Sequence, residues 1–367
     1  MSAAPEFDLL ASDVEIDLRA TVRALLADQC DPVAVTALYD GDRSVVAPLW
    51  RSLATDLGLA GLMVPEELGG AGASAREAAT VLDELGRACA PVPFLTSAVI
   101  STVLLRAIDS DPARALLRAV ASGERTAAVV LPFSTGPDAA LPTLTVSDGR
   151  LTGQVRSVAG VVEADLLLVP ASDGGKVAVY ALDRGDAGVE PVSSLDMTRQ
   201  VADVTFSDSA GELLVANGEQ AVRDALLAGA ALLASEQVGV ARWCLEETVA
   251  YLKVRKQFGR VVGGFQALKH RLADLYAEIE SASAAARYAA VALAVGEDAP
   301  IAARVAAAYA SDVAVHAAEE AVQLHGGIGM TWEHPAHLYL KKAKADQIAL
   351  GTASAHRAAL ASLVNLA

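Results

Sequence analysis

The stretch YLKVRKQFG, residues 251–259, joins two long helical patterns and holds three cations, an amide and two aromatic rings. Glycine adopts left-handed backbone conformations without strain, so Gly259 suits the end of a helix. We expect a helix that ends near Gly259, a short loop, and a second helix that begins at Phe265. Apolar side chains in that second helix step by three and four residues and predict one buried face: Phe265, Leu268, Leu272, Leu275 and Ile279.

The polar side chains of this stretch have the chemistry of a ligand site. Arg255 can pair bidentately with a phosphate, and Gln257 and Gln266 can hydrogen-bond an amide or a ring edge. A solvated helix terminus is the simpler interpretation of Arg255 alone. A second stretch, QLHGGIGMT at residues 323–331, has three glycines after a helix. They either let a ligand approach the backbone closely or form a helix cap and a turn.

By sequence pattern, the whole chain divides into three parts. Residues 1–120 and 216–367 read as helical, whereas residues 121–215 contain short runs rich in Val, Leu and Thr. Asp148-Gly149 and Asp173-Gly174-Gly175 stand between pairs of these runs and tolerate the positive φ of tight hairpin turns. We predict a small antiparallel β domain between two helical domains. The expected strands are Thr126–Leu131, Thr143–Val146, Leu151–Val158, Asp165–Val169, Lys176–Leu182 and Val201–Phe206.

Composition narrows the classes of function. Of 367 residues, 53% are hydrophobic and 20% charged, which excludes a disordered chain. A net charge of −16 argues against nucleic-acid binding. The three cysteines lack the spacing of a disulfide framework or a zinc site, and the acidic N-terminus, Met1 to Asp17, does not resemble a signal peptide. We expect a cytoplasmic protein without membrane insertion and predict no metal site.

The two glycine-containing stretches together resemble the signatures of the acyl-CoA dehydrogenase family, Tyr-x-x-x-Arg-x-x-Phe-Gly…Phe-Gln and Gln-x-x-Gly-Gly-x-Gly. The loop PEELGGAG, residues 65–72, resembles a further segment of that family. The resemblance covers nearly the whole chain and is strongest from 236 to 344. It implies a mainly α protein with a β domain: an N-terminal helical domain, a small antiparallel β-barrel-like domain and a C-terminal four-helix bundle.

The resemblance also implies a reaction and partners. Members of the family use FAD to desaturate an acyl-CoA thioester between its α and β carbons, with a glutamate as the base. They pass the electrons to an electron-transferring flavoprotein and assemble as tetramers. Two segments of one subunit reach the FAD seated in its neighbour. The residues of this chain that match those cofactor-binding segments are Arg255, Gln257, Phe258, Gln266, Gln323, Gly326 and Gly327.

The positions that carry the family's catalytic base do not match. The usual glutamate falls on Leu350, and the alternative position, 22 residues before Tyr251, falls on Gly229. The flavin-side loop of the β domain also departs, at residues 131–138, and the β domain has no tryptophan. The leading hypothesis is therefore the non-base subunit of a heterotetramer, which completes the FAD site of a paralogous partner. Such assemblies resemble those of actinobacteria that degrade steroid side chains.

Two alternatives stay open at this stage. One is a self-sufficient homotetramer that uses Glu236 as an unorthodox base, although a paired glutamate at a helix contact is the simpler interpretation of Glu236. The other is a scaffold or acyl-CoA binding subunit without flavin. Glu247 reads as part of an exposed helical face, and we expect His325 and His270 to be polar neighbours of FAD or of a helix end.

Overall fold

Helices, then a sheet, then helices follow one another along the chain in the computed structural model, which describes residues 7–141 and 144–366. This order confirms the predicted fold class. Serine side chains cap three helices of the first region: Ser12 begins α1, Ser74 begins α4 and Ser110 begins α6. The helices of this region are α1 (Asp13–Gln29), α2 (Pro32–Ala37), α3 (Val46–Arg51), α4 (Ala75–Arg87), α5 (Thr102–Arg106) and α6 (Asp111–Ala121).

The middle region forms one eight-stranded sheet. Its order is β6-β7-β3-β2-β4-β5-β8, and β1 pairs with β4. All six predicted strands have a counterpart in this sheet. Thr143, in the second predicted strand, lies outside the described residues. Strands β6 and β8 were not predicted. The strands are β1 (Ala127–Val129), β2 (Thr145–Ser147), β3 (Arg150–Ala159), β4 (Leu166–Asp173), β5 (Lys176–Asp183), β6 (Gly188–Pro191), β7 (Val201–Ala210) and β8 (Glu212–Val215).

Both predicted hairpin turns occur. Asp148 and Gly149 join β2 to β3 with φ of 50° and 72°, and Gly174 and Gly175 join β4 to β5 with φ of 57° and 81°. Positive φ at both central residues matches the right-handed twist of the flanking strands. Two pairings are parallel, β1 with β4 and β2 with β4, so the sheet is mainly but not wholly antiparallel. These pairs join strands that are not consecutive, which local sequence patterns do not reveal.

The last region is a bundle of three long helices and two shorter ones. Helix α8 ends at Val295 and α9 begins at Ala299, so three residues, 296–298, separate these two long helices. The preceding helix ends at Val254 rather than near Gly259, since a two-stranded hairpin takes the intervening residues. The helices are α7 (Glu219–Val254), α8 (Gln266–Val295), α9 (Ala299–His325), α10 (Ala336–Asp346) and α11 (Ala353–Leu363).

The two helical regions meet where α4 crosses α7 at two glycines. A Cβ at Gly86 would lie 2.0 Å from the carbonyl oxygen of Glu236, and one at Gly239 would lie 1.9 Å from that of Asp83. Only glycine permits this approach, which brings the backbones into direct contact. By length and composition α7 is apolar enough to cross a membrane, but 89% of its most apolar window is buried inside the protein.

Candidate functional site

The first matching stretch forms an exposed hairpin at the end of α7. Strands β9 (Lys256–Gln257) and β10 (Arg260–Val261) pair, and Phe258 and Gly259 form the turn between them. The backbone of Phe258 has φ of 55°, which is unfavourable for a bulky residue, and its side chain is 89% exposed. A strained backbone that presents an aromatic ring to solvent is a feature of binding sites.

Arg255 directly precedes this hairpin, and Gln266 follows it after a short turn at residues 262–265. Arg255 is exposed and follows the last residue of α7, and Gln266 is exposed in the first turn of α8. The guanidinium carbon of Arg260 lies 3.9 Å from the ring centroid of Phe265, which stabilises the base of the hairpin. Gln257 is exposed as well, and its side-chain amide donates to the Lys256 carbonyl.

The second matching stretch begins where α9 ends. Gly326 has φ of 65°, and a Cβ at Gly326 or at Gly327 would meet no atom within 4 Å, so the backbone faces open space. Gln323 is exposed one turn earlier. The rings of Tyr251 and His325 stack with centroids 4.5 Å apart, which joins the two stretches. The fold therefore places all seven candidate residues on the surface, in two segments that contact each other.

The two expected positions of a base meet in the interior. Leu350 lies between α10 and α11, is 2% exposed, and donates its amide to the carbonyl of Phe133 at 2.8 Å. A Cβ at Gly229 on α7 would lie 2.8 Å from Cγ1 of Ile100 and 3.0 Å from Cδ1 of Leu350. Positions 229 and 350 thus face the same point, and neither carries a group that can accept a proton.

Apolar side chains fill the space around that point. The remaining cavity is about 20 Å³, close to the volume needed for one water molecule. The β-domain loop at residues 131–138 packs directly on the turn of Leu350, since a Cβ at Gly136 would lie 3.2 Å from Cα of Gly351. A thioester does not fit there. The lining residues are Thr96, Ile100, Val129, Leu131, Pro132, Phe133, Ala159, Leu226 and Leu350.

Glu236 lies in a different place, within a buried cluster of charged side chains. Its carboxylate accepts hydrogen bonds from Arg199 Nη2 at 2.5 and 2.7 Å and lies 2.5 Å from Lys342 Nζ. Arg199 Nη1 also donates to Asp346 at 2.6 Å, and Lys342 Nζ lies 4.0 Å from Asp196. These ion pairs make Glu236 a paired glutamate where α7 meets α10.

The electrostatics of the cluster oppose a role for Glu236 as a base. Burial alone would raise the pKa of Glu236, but Arg199 and Lys342 hold this pKa below its ordinary value. A carboxylate whose charge is neutralised by two cations has little tendency to take up a proton. Burial raises the pKa of Asp346 to about 6, and the charge of Glu236 adds to that rise. The sequence analysis missed Arg199, Lys342 and Asp346. The one local sign of a charge pair is the spacing of Lys342 and Asp346, one helical turn apart.

Comparison with known proteins gives these features a context. Residues 12–124 match the N-terminal domain of acyl-CoA dehydrogenases, and residues 216–364 match their C-terminal domain. The chain is 39% identical over 329 residues to Acyl-CoA dehydrogenase IpdE2 of Mycobacterium tuberculosis, covering 89% of each chain. It is 39% identical over 306 residues to Acyl-CoA dehydrogenase FadE34 of the same organism, covering 83% of this chain and 40% of the relative.

Two solved structures have similar chains along nearly their whole length. A chain of the ChsE4-ChsE5 complex from Mycobacterium tuberculosis superposes with a TM-score of 0.88 at 27% identity, covering 98% of this chain and 99% of that one. A chain of a variant of the Tcur3481-Tcur3483 steroid acyl-CoA dehydrogenase superposes with a TM-score of 0.85 at 29% identity, covering 96% of this chain and 98% of that one. On the strength of these matches, the chain belongs to the acyl-CoA dehydrogenase family.

Proposed function

We propose that this chain is the subunit without a base in a heteromeric, FAD-dependent acyl-CoA dehydrogenase. In this proposal it completes the FAD site of a paralogous subunit that carries the catalytic glutamate. The assembly is a heterotetramer that desaturates an acyl-CoA thioester between its α and β carbons and passes electrons to an electron-transferring flavoprotein. The single observation that carries the proposal is the contrast between an exposed cofactor-binding surface and a closed interior at positions 229 and 350.

The closed interior argues against catalysis by this chain alone. Leu350 and Ile100 fill the point that Gly229 faces, and the cavity of about 20 Å³ has no room for a thioester. Removing an α-proton needs a carboxylate within hydrogen-bond reach of the substrate. Glu236 does not meet this requirement, because two cations already neutralise its charge in a separate buried cluster.

The exposed surface fits a dinucleotide held mainly by a neighbouring subunit. Arg255 offers an exposed guanidinium for a pyrophosphate, Gln257 and Gln266 offer amides, and Gly326 and Gly327 leave the backbone open to close approach. FAD, when bound, supplies the acceptor for the hydride that leaves the β carbon. The residues of this chain bind and orient that cofactor from outside, and no proton transfer step involves them.

The relatives support a heteromeric assembly of this kind. The ChsE4-ChsE5 structure is a complex of two different chains, and the Tcur3481-Tcur3483 protein is described as a steroid acyl-CoA dehydrogenase. We extend the same organisation to this chain, with a steroid side-chain or fatty acyl thioester as the substrate class. Its three cysteines are free and buried, which supports the further proposal of a reducing, cytoplasmic compartment.

The test is co-expression with a paralogous acyl-CoA dehydrogenase subunit that carries the catalytic glutamate. We expect a stable complex with one FAD for each pair of different chains, and dehydrogenase activity that neither chain shows alone. Arg255→Ala should lower the FAD content and activity of the complex without dissociating it. Arg271→Ala is the matched control, because Arg271 is an exposed arginine of α8 that pairs with Glu320. An active, FAD-loaded homotetramer formed by this chain alone would refute the proposal.

A further inference from the structure

Two histidines and a glutamate from separate elements converge beside the exposed cofactor-binding surface. Glu247 lies on α7, His325 ends α9, and His334 lies in the loop before α10. One ligand atom from each of the three side chains lies within 4.8 Å of the other two, and the ring centroids of His325 and His334 are 4.1 Å apart. The function proposed above uses none of these three side chains.

The hydrogen bonds of His325 assign its tautomer. Its Nδ1 lies 2.7 Å from the carbonyl oxygen of Ala321, which only accepts, so Nδ1 carries a proton and donates it. The lone pair therefore resides on Nε2. His325 is 3% exposed, and its Nε2 has no hydrogen-bond partner among the residues that the structure describes. Metal-binding histidines commonly donate their second ring nitrogen to a carbonyl in this way.

His334 and Glu247 supply the other two ligands. His334 Nε2 lies 3.9 Å from Glu247 Oε1, and the side chains are 13% and 43% exposed, so an ion can enter from solvent past the glutamate. Nδ1 of His334 accepts a long 3.3 Å hydrogen bond from the amide of Ala336.

We propose that Glu247, His325 and His334 form a binding site for one divalent transition-metal ion of the Zn²⁺ class. Two imidazoles and a carboxylate are a ligand set that Zn²⁺ uses, with a water in the fourth position. Tetrahedral bonds of about 2.0–2.2 Å require ligand atoms about 3.3 Å apart, so the side chains must close by about 1.5 Å at most. When the ion binds, the single ring proton of His334 leaves Nε2 for solvent, and Nδ1 takes up a proton from solvent. The imidazole ring then turns so that its Nδ1–H no longer faces the amide of Ala336.

The position of this site gives the ion a structural consequence. Glu247 precedes Tyr251 by one helical turn, and His325 directly precedes Gly326. An ion held by both therefore links the end of α7 to the glycine turn, reinforcing the stack of Tyr251 on His325. The site depends on side-chain geometry alone and is independent of the identity of the cofactor.

The test is titration of the full chain with Zn²⁺ by calorimetry after treatment with EDTA, and with Co²⁺ by visible absorption. We expect one ion per chain and Co²⁺ bands of a low-coordinate nitrogen and oxygen site. His334→Ala and Glu247→Gln should each weaken binding at least tenfold, and both replace partly exposed side chains, with thermal melts verifying that they fold.

His316→Ala is the matched control, because His316 is a half-exposed histidine of α9 that contacts Glu278 and Glu320. It should bind Zn²⁺ like the unmodified chain. Three results would each overturn the proposal. The first is that the unmodified chain binds no ion stoichiometrically. The second is that His334→Ala and Glu247→Gln bind Zn²⁺ as tightly as the unmodified chain. The third is that His316→Ala no longer binds the ion.

Discussion

Replacing Glu236 by glutamine removes one negative charge from the buried cluster while keeping the shape of the side chain. Among the described residues, Arg199 and Lys342 then keep Asp346 and Asp196 as charged partners. Breaking a buried ion pair by removing one partner costs about 3–5 kcal/mol. Part of this cost in unfolding free energy is offset, because the substitution also removes the repulsion between Glu236 and Asp346. We expect Glu236→Gln to lower the free energy of unfolding by about 3 kcal/mol at neutral pH.

The pH dependence makes this expectation more specific. The pKa of Asp346 is about 6 in the folded chain against 3.8 in the unfolded chain, a difference worth about 3 kcal/mol. Ionising Asp346 therefore destabilises the unmodified protein as the pH rises through 6. Without the charge of Glu236 the pKa of Asp346 falls, so ionising Asp346 destabilises the Glu236→Gln variant less than the unmodified protein. The stability difference between the two proteins should be larger near pH 5 than near pH 7.5.

The assay is urea unfolding at both pH values, followed by tryptophan fluorescence. Glu246→Gln is the matched control, because Glu246 is an exposed residue of the same helix that pairs with Arg87, and exposed pairs contribute about 0–1 kcal/mol. A loss in Glu236→Gln no greater than in Glu246→Gln would contradict the assigned role of the cluster. A stability difference that does not change with pH would contradict the assignment of the raised pKa to Asp346.

Three further predictions concern other parts of the fold. Gly239→Ala should lower the melting temperature more than Gly229→Ala. The new Cβ at position 239 meets a backbone carbonyl at 1.9 Å, whereas the one at position 229 meets flexible side chains. Equal losses would contradict the close crossing of α4 and α7. Leu350→Glu should create no dehydrogenase activity in the lone chain, and such activity would contradict the closed interior. The variant should lose more stability as the pH rises, because burial among apolar side chains raises the pKa of the new carboxyl group. NMR titration of His337 should give a pKa of about 4, lowered by burial and by Lys341, and a value near 6.5 would contradict that environment.

Local patterns predicted most of the secondary structure, because hairpin turns and helical periodicity are written in neighbouring residues. The hairpin after Val254 escaped prediction, since its strands are only two residues long and its turn places Phe258 at a positive φ that phenylalanine rarely adopts. The sequence also singled out seven candidate residues that the fold places on the surface, and it carries no carboxylate at 229 or 350. The meeting of those two positions required the fold, since 121 residues separate them.

The buried charges were beyond sequence reasoning for a related reason. Arg199 precedes β7, Glu236 lies in the middle of α7, and Lys342 lies on α10, so their contact depends on how the sheet packs on the helices. No short-range pattern marks an arginine as buried. The same holds for His334 and Glu247, whose proximity depends on the packing of α7 against the loop before α10.

The packing of Leu350 and Ile100 against Gly229 also bears on how this family balances stability against function. A catalytic cavity weakens the protein that contains it, by about 24 cal/mol for each Å³ left empty, because its lining loses dispersion contacts. This chain leaves about 20 Å³ open at that point. Under the proposed function, the chain is thereby released from the trade-off that restrains a working active site. Substitutions that tighten the contacts around Leu350 are open to it, whereas a catalytic paralogue must keep the same space clear for substrate.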